Sequence, residues 1–220
     1  TGTEAGTLEA SLLSADSQFE LQGSIDLSPK VRFTVVSPER SYWRVDSYNR
    51  YTGTGWVRSG EATPYEDARL RVPPGEATRV TQVFRIESAT GVMPAAWRPV
   101  AVDGVADETD VTAEGGLSPT RTLERGDRYE VLSAIPQTTP ESLARATTDD
   151  PDYIADRYTQ LPSSTPDRVA ERTASVLGDT ENRYAAARRI EQYLEGNKEY
   201  SLDVQKPDGN VADSFLFEME

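Results

Sequence analysis

The hydrophobic period of this chain changes once, and that change limits its possible folds more than any other feature. From Val31 to Pro136 apolar residues recur at about every second position; beyond residue 157 they recur at every third and fourth. Period two belongs to strands with one buried face, and a period near 3.6 to amphipathic helices. Strands followed by helices, with no alternation of the two, predict an α+β chain. Its first part should be an antiparallel, β-sandwich-like domain.

The strands can be placed from their punctuation. "VRFTVV" alternates from Val31, "SPER" turns, and "SYWRVDSYNRY" resumes with aromatic and β-branched residues. "TGTG", Thr52 to Gly55, reads as a turn between Tyr51 and Trp56, with glycine available wherever φ must be positive. In "RVTQVFRIE", Val80, Val83 and Ile86 do not alternate, which suggests a bulge. Two prolines in "MPAAWRPVAV" point to an edge or irregular strand. "GDRYEVLSAIP" sets Tyr129, Val131 and Ser133 on one face, with Glu130 and Leu132 on the other. The expected divisions are an arm or leader strand at 1–22 and a β-rich domain at 23–136. A Thr-, Pro- and Asp-rich linker follows at 137–157, with one short helix near "PESLARA".

The helical part, 158–220, should hold two amphipathic helices. Thr165 is the expected N-cap, with Pro166 at the first helical position. Val169, Ala170, Thr173, Val176 and Leu177 would face inward, and Gly178 would end that helix. A second helix should run from Thr180 to about Glu195 and bury Tyr184, Ala187, Ile190, Tyr193 and Leu194, with Gly196-Asn197 as its stop. "EYSLDV" reads as extended, "KPDGN" as a turn, and "VADSFLF" as the opening of a further element.

Composition removes several function classes. The chain has no cysteine and no histidine, which excludes a disulfide, a Cys/His metal site and every Ser–His or Cys–His catalytic pair within it. Its net charge of −14 argues against nucleic acid as a partner, since phosphate contacts need clustered Lys and Arg. No run approaches the ~20 apolar residues that span a bilayer. No charged stretch followed by an apolar run marks a signal peptide near Thr1. Only Lys30, Lys198 and Lys206 are lysines among 23 basic residues, against 37 acidic ones. Such a surface suits a halophilic, archaeal protein, whose self-repulsion is screened in concentrated salt. A GC-rich genome, which favours Arg codons, is the alternative.

Candidate sites within the chain are weak. Asp103, Asp107, Glu108 and Asp110 could offer oxygen ligands to calcium, but their spacing lacks the glycine of the twelve-residue loop pattern. These carboxylates, like Asp149, Asp150 and Asp152, read as solvated surface. Tyr42, Trp43, Tyr48, Tyr51 and Trp56 crowd one segment and could stack on carbohydrate or peptide, although a core layer explains them more simply. "TGTGW" has the wrong length and context for a phosphate loop. No catalytic, metal-binding or cofactor-binding residue is assigned.

Two stretches resemble a known family. Tyr42-Trp43-Arg44, a spacer, then Tyr51, Gly53, Gly55 and Trp56 are similar to a segment of membrane-anchored transglutaminase-like (papain-fold) proteins of bacteria and archaea. Leu161-Pro162, Tyr193-Leu194, Tyr200 and Phe215-Leu216 then fall in the order in which that family enters its catalytic core. The resemblance implies the extracytoplasmic region, with a Gly-x-Cys shortly after the Phe-Leu motif, then a His and an Asp. The chain would then be a non-catalytic fragment that scaffolds or presents a protein substrate, or contacts the cell envelope, on the outer face of the membrane. Its only tie to the membrane would be flanking helices of the longer protein. The competing reading is a stand-alone β-sandwich module for binding or adhesion at the envelope.

Overall fold

The computed structural model describes residues 18–20, 29–66, 70, 75–204 and 207–219. The expected arm at 1–22 lies outside them except for 18–20. Among the described residues twelve strands come first: β1 (Gln18–Glu20), β2 (Phe33–Val36), β3 (Trp43–Arg44), β4 (Arg50–Tyr51), β5 (Gly55–Val57), β6 (Thr63–Pro64), β7 (Ala77–Ile86), β8 (Ala95–Ala96), β9 (Arg98–Asp103), β10 (Thr109–Val111), β11 (Leu117–Pro119) and β12 (Arg128–Pro136). Five helices follow: α1 (Pro140–Ala144), α2 (Asp152–Tyr158), α3 (Asp167–Leu177), α4 (Arg183–Asn197) and α5 (Val211–Phe217). The described residues divide into two compact units. One takes 29–48 and 58–137; the other takes 18–20, 49–57 and the chain from 138 onward.

The first unit is built on an antiparallel sheet of order β2-β7-β12-β9. Strand β7 alternates after all, turning Val80, Gln82, Phe84 and Ile86 inward and leaving Val83 on the other face. Register puts Tyr129 opposite Phe84 and Val131 opposite Gln82, so β12 aligns its own buried face with that row. The bulge lies elsewhere, where the pairing of β12 with β9 shifts between Leu132 and Ser133. The misreading has a physical cause. Gln82 is a polar residue at an inward position, and its amide is satisfied there: Nε2 donates to Val80 O, while Oε1 accepts from Ser133 Oγ (3.0 Å) and Ala96 N–H (3.3 Å). A buried amide with its partners in place costs little. Pro99 sits in β9, an edge strand, where a missing N–H is tolerated.

Phe84 is the hub of the core. Trp43 meets it edge-on (5.5 Å), Tyr129 stacks on it (5.0 Å) and Phe33 tilts against it (5.7 Å). Each such pair contributes about 0.5–1.5 kcal/mol beyond the area it buries. Val111 and Leu117 of the β11-β10-β6 sheet and Ala95 of the β3-β8 pair belong to the same cluster, so several antiparallel sheets share one core. Tyr129 donates its hydroxyl to Pro94 O (3.0 Å), and burial pushes the phenol's pKa up.

The second unit combines β1, the β4–β5 hairpin and the five helices. Helix α1 opens on a reciprocal cap between Thr139 and Ser142, with Pro140 in the first turn. Helix α3 departs from expectation at its start: Pro166, still extended (ψ 146°), is the N-cap and makes no side-chain cap, so Thr165 lies outside the helix. Gly178 ends α3 as expected, donating its N–H to Ala174 O (3.0 Å). Helix α4 starts at the Asn182 cap and runs through Gly196 and Asn197 instead of stopping before them. Of the inward rows predicted for these helices, Ala170, Ala187 and Ile190 are exposed. None of the residues in α1 to α4 is fully buried. Among the described residues of this unit, the buried positions are polar or glycine: Asn49, Gly53, Gly55, Asp213 and Ser214.

Candidate functional site

The most constrained part of the helical unit is the start of α5, and its sequence explains why it forms. Asn210, in extended conformation, accepts from the N–H groups of Ala212 (3.1 Å) and Asp213 (3.2 Å), an Asx cap for a helix of only seven residues. Asp213 adds a carboxylate to the first turn, where the helix dipole favours it. So short a helix is not stable alone. Contacts from the β4–β5 hairpin, α3 and α4 hold it in place.

The hairpin supplies its turn. The "TGTG" turn closes with Thr52 N–H to Gly55 O (3.0 Å), and Gly53 adopts φ +96°, a region that favours glycine. Gly53 O then accepts from Val211 N–H at 2.6 Å, so the turn satisfies one of the free N–H groups at the helix start. The Tyr51 hydroxyl accepts from Ala212 N–H (3.0 Å), and its proton lies between Gly53 O (2.8 Å) and Asn210 Oδ1 (3.1 Å). A Cβ on Gly53 would stand 2.9 Å from Ser164 Oγ and 3.3 Å from Asn210 Nδ2, so any side chain there would force those groups or the turn to shift.

Helix α3 supplies charge. Arg168 grips Asp213 with a two-pronged pair at 2.5 Å on each prong, and also reaches Glu218 Oε1 (3.3 Å). The guanidinium holds the Asp213 carboxyl below the usual carboxylate range, and the carboxylate raises the Arg168 pKa in return. Arg168 and Arg172 lie 4.6 and 5.3 Å from the centre of the Phe217 ring, and Arg172 donates to the Tyr193 hydroxyl (2.8 Å). From the end of α4, Lys198 donates to Met219 O and lies 5.7 Å from the centre of the Phe215 ring.

Beside α5 opens a groove of about 720 Å³ with an almost wholly apolar lining that includes Tyr51, Trp56, Tyr158, Leu161, Val211 and Phe215. Leu161 is 71% exposed and Tyr158 41%, which is unusual for apolar side chains gathered in one place. The site therefore offers a capped helix end, a paired arginine and an open apolar face. Cysteine and histidine are absent from the chain, so the site holds no thiol–imidazole pair.

The motif residues separate. Tyr42, Trp43 and Arg44 belong to the first unit: Tyr42 is 95% exposed, Trp43 packs on Phe84, and Arg44 donates to Gly115 O (3.1 Å). Tyr51, Gly53, Gly55 and Trp56 belong to the second, together with Leu161, Pro162, Tyr193, Leu194, Tyr200, Phe215 and Leu216. Tyr51, Gly53 and Pro162 converge on the start of α5, Trp56, Leu161 and Phe215 line the groove, and Tyr200 is exposed. Sequence reasoning did not single out Arg168 or Asn210, and took Asp213 only as part of the stretch that leads into Phe215-Leu216. Asn210 carried a signal, a capping residue just before an apolar run; the Arg168–Asp213 pair spans 45 positions and carried none.

The acidic runs find local uses. Asp103 accepts from Gly104 N–H (2.8 Å), Glu108 pairs with Arg121 (2.9 Å), and Asp150 pairs with Arg183. Among the described residues no three carboxylates gather in a way that could hold a metal ion.

Comparison with known proteins adds three findings. The family described as the TgpA N-terminal domain matches residues 5–140, more than half of the chain. YebA of Bacillus subtilis (strain 168) is 24% identical over 208 residues, which are 84% of this chain and 28% of YebA. The periplasmic domain of TgpA from Pseudomonas aeruginosa, a crystal structure, shares the fold with a TM-score of 0.54 and 20% identity, over 87% of this chain and 65% of that one. The chain thus spans under a third of its curated relative.

Proposed function

The chain belongs to the TgpA N-terminal domain family of transglutaminase-like proteins, and on that premise we propose that it is the non-catalytic, extracytoplasmic scaffold of a longer, membrane-anchored cysteine acyltransferase or peptidase. The β-rich unit closes its own core, and the helical unit carries α5 as the lead-in to a nucleophile further along the longer polypeptide. In that protein a cysteine would attack a side-chain or peptide carbonyl to form a thioester, activated by a histidine and resolved by an amine or water. One observation carries the reading: a seven-residue helix is held by a hairpin turn, an Asx cap and a two-pronged arginine, far more positioning than a surface helix of that length needs.

Two further observations support it. Among the described residues the helical unit has apolar side chains such as Tyr158, Leu161 and Phe215 in the open and no buried apolar side chain, a state that suits a core completed by more protein. No helix among the described residues is long and apolar enough to cross a membrane; this reading assigns the anchor to flanking sequence, and the likeness to a periplasmic domain favours the outer face. A protein substrate or an envelope component is the partner this reading implies. The acid excess with three lysines supports salt adaptation as a property of that surface.

The test is a comparison of two polypeptides. The purified 220-residue chain, given a glutamine-containing donor and a labelled amine, should form no product. A longer polypeptide that includes the downstream cysteine should form product and lose it on Cys→Ala. Turnover by the shorter chain, or a parent gene with no downstream cysteine, would defeat the proposal. A second reading, an envelope-binding or adhesion module, is favoured by the self-contained core around Phe84, and a parent gene without the catalytic residues would move the balance to it.

A further inference from the structure

The apolar groove beside α5 does not end at Phe215. A second depression of about 1290 Å³ shares Val204, Phe215 and Met219 with it, so the two adjoin along these residues and together make a trough. The halves differ in chemistry. Among the described residues the second is bordered by Glu195, Glu199 and Asp203, while Lys198 is turned onto Met219 O and the Phe215 ring. An apolar half continuing into an anionic half is complementary to an extended segment that is apolar at one end and cationic at the other.

We propose that this trough binds an extended polypeptide segment with an aromatic or aliphatic anchor followed by Lys or Arg residues. This rests on the scaffold reading above and deepens it, by naming the class of protein substrate that the helical unit would hold beside α5. The anchor enters the first groove, whose volume lies within the usual ~300–1,000 Å³ of ligand pockets. Tyr158 and Leu161 meet it with side chains already exposed, so binding removes apolar surface from water without opening the fold. The basic residues then follow Phe215 towards Glu195 and Glu199. Their attraction is electrostatic and exposed, and so weakens with salt, whereas the anchor's contribution does not.

The experiment is fluorescence anisotropy on the 220-residue chain and on the longer polypeptide, with three labelled decapeptides: Leu-Phe followed by four Lys/Arg, the same peptide with Gly-Ser for the anchor, and the same with Glu for the basic residues. The first should bind at least tenfold more tightly than either of the others, and raising salt from 50 to 500 mM should weaken it by about tenfold. Leu161→Ser, at an exposed position, should weaken the anchor peptide and leave far-UV circular dichroism unchanged. Glu199→Lys should weaken it and improve the Glu-bearing peptide. Equal binding of the anchorless basic peptide would overturn the proposal, since that is only the pull of an acidic protein. So would binding to the shorter chain that vanishes in the longer one, which would mean that the parent's own following segment fills the trough. Either failure leaves the acyl-transfer comparison untouched, so the two readings fail separately.

Discussion

Replacing Gly53 with alanine adds one methyl group at the point where the hairpin turn meets α5. Two costs follow. At φ +96° an L-residue is strained by about 1–2 kcal/mol. The new Cβ would also stand 2.9 Å from Ser164 Oγ and 3.3 Å from Asn210 Nδ2. The serine hydroxyl can rotate away, but any retreat of the turn stretches the 2.6 Å bond from Val211 N–H to Gly53 O, worth about 1 kcal/mol. Together these predict a loss of about 2–3 kcal/mol, confined to the helical unit. Gly209 is the control: it also has positive φ (+84°) but nothing within 4 Å, so Gly209→Ala should cost only the backbone strain. Native-state hydrogen exchange reads the difference. Amides of 211–214 should lose roughly 30-fold or more of their protection in Gly53→Ala, while those of β7 and β12 keep theirs. Adding Ser164→Ala to Gly53→Ala should restore part of the loss. Equal effects of Gly53→Ala and Gly209→Ala, or no rescue by Ser164→Ala, would show that the turn does not hold the helix.

Arg168→Leu should free the Asp213 carboxylate and loosen α5. Because Asp213 titrates below its ordinary value when folded, its contribution is present above the usual carboxylate range and is lost as pH falls through the depressed value; in Arg168→Leu, exchange at 211–214 should rise and its acid-induced increase should move to higher pH. Gln82→Leu keeps the volume but leaves Ser133 Oγ and Ala96 N–H without their acceptor, so urea unfolding of the β-rich unit should show a loss of about 1–3 kcal/mol, partly recovered by adding Ser133→Ala. If the acidic surface is a salt adaptation, Tm should climb steeply from dilute buffer to molar KCl; a flat curve would leave codon bias as the explanation.

Much of the fold was legible because it is written locally. The faces of β12, the edge strand at Pro99, the Tyr51–Trp56 turn and the stop at Gly178 follow from period, proline and glycine within a few positions. Three things misled. Gln82 at an inward position hid the alternation of β7, because a polar residue signals solvent unless its partners are known. Thr165 looked like a cap, yet Pro166 keeps an extended ψ and takes that place itself. In α5 "VADSFLF" read only as the opening of a further element, which drew attention to its apolar end and away from Asp213 and Ser214, the buried pair held by Arg168 from α3 and by Asp208 O, which accepts from Ser214 Oγ (3.2 Å).

The sequence by itself determined that strands precede helices, that the surface is anionic, and that thiol and imidazole chemistry is absent from these residues. It could do so because period, charge and composition are sums over neighbours, readable without knowing what touches what. Only the tertiary structure sent residues 49–57 out of the surrounding β-rich stretch to cap a helix some 150 positions later, joining Tyr51 to Asn210 across 159 residues. Such a contact leaves no mark on local pattern. It depends on the space open at Gly53 and on which donors lack acceptors, and both come into being when the chain has folded.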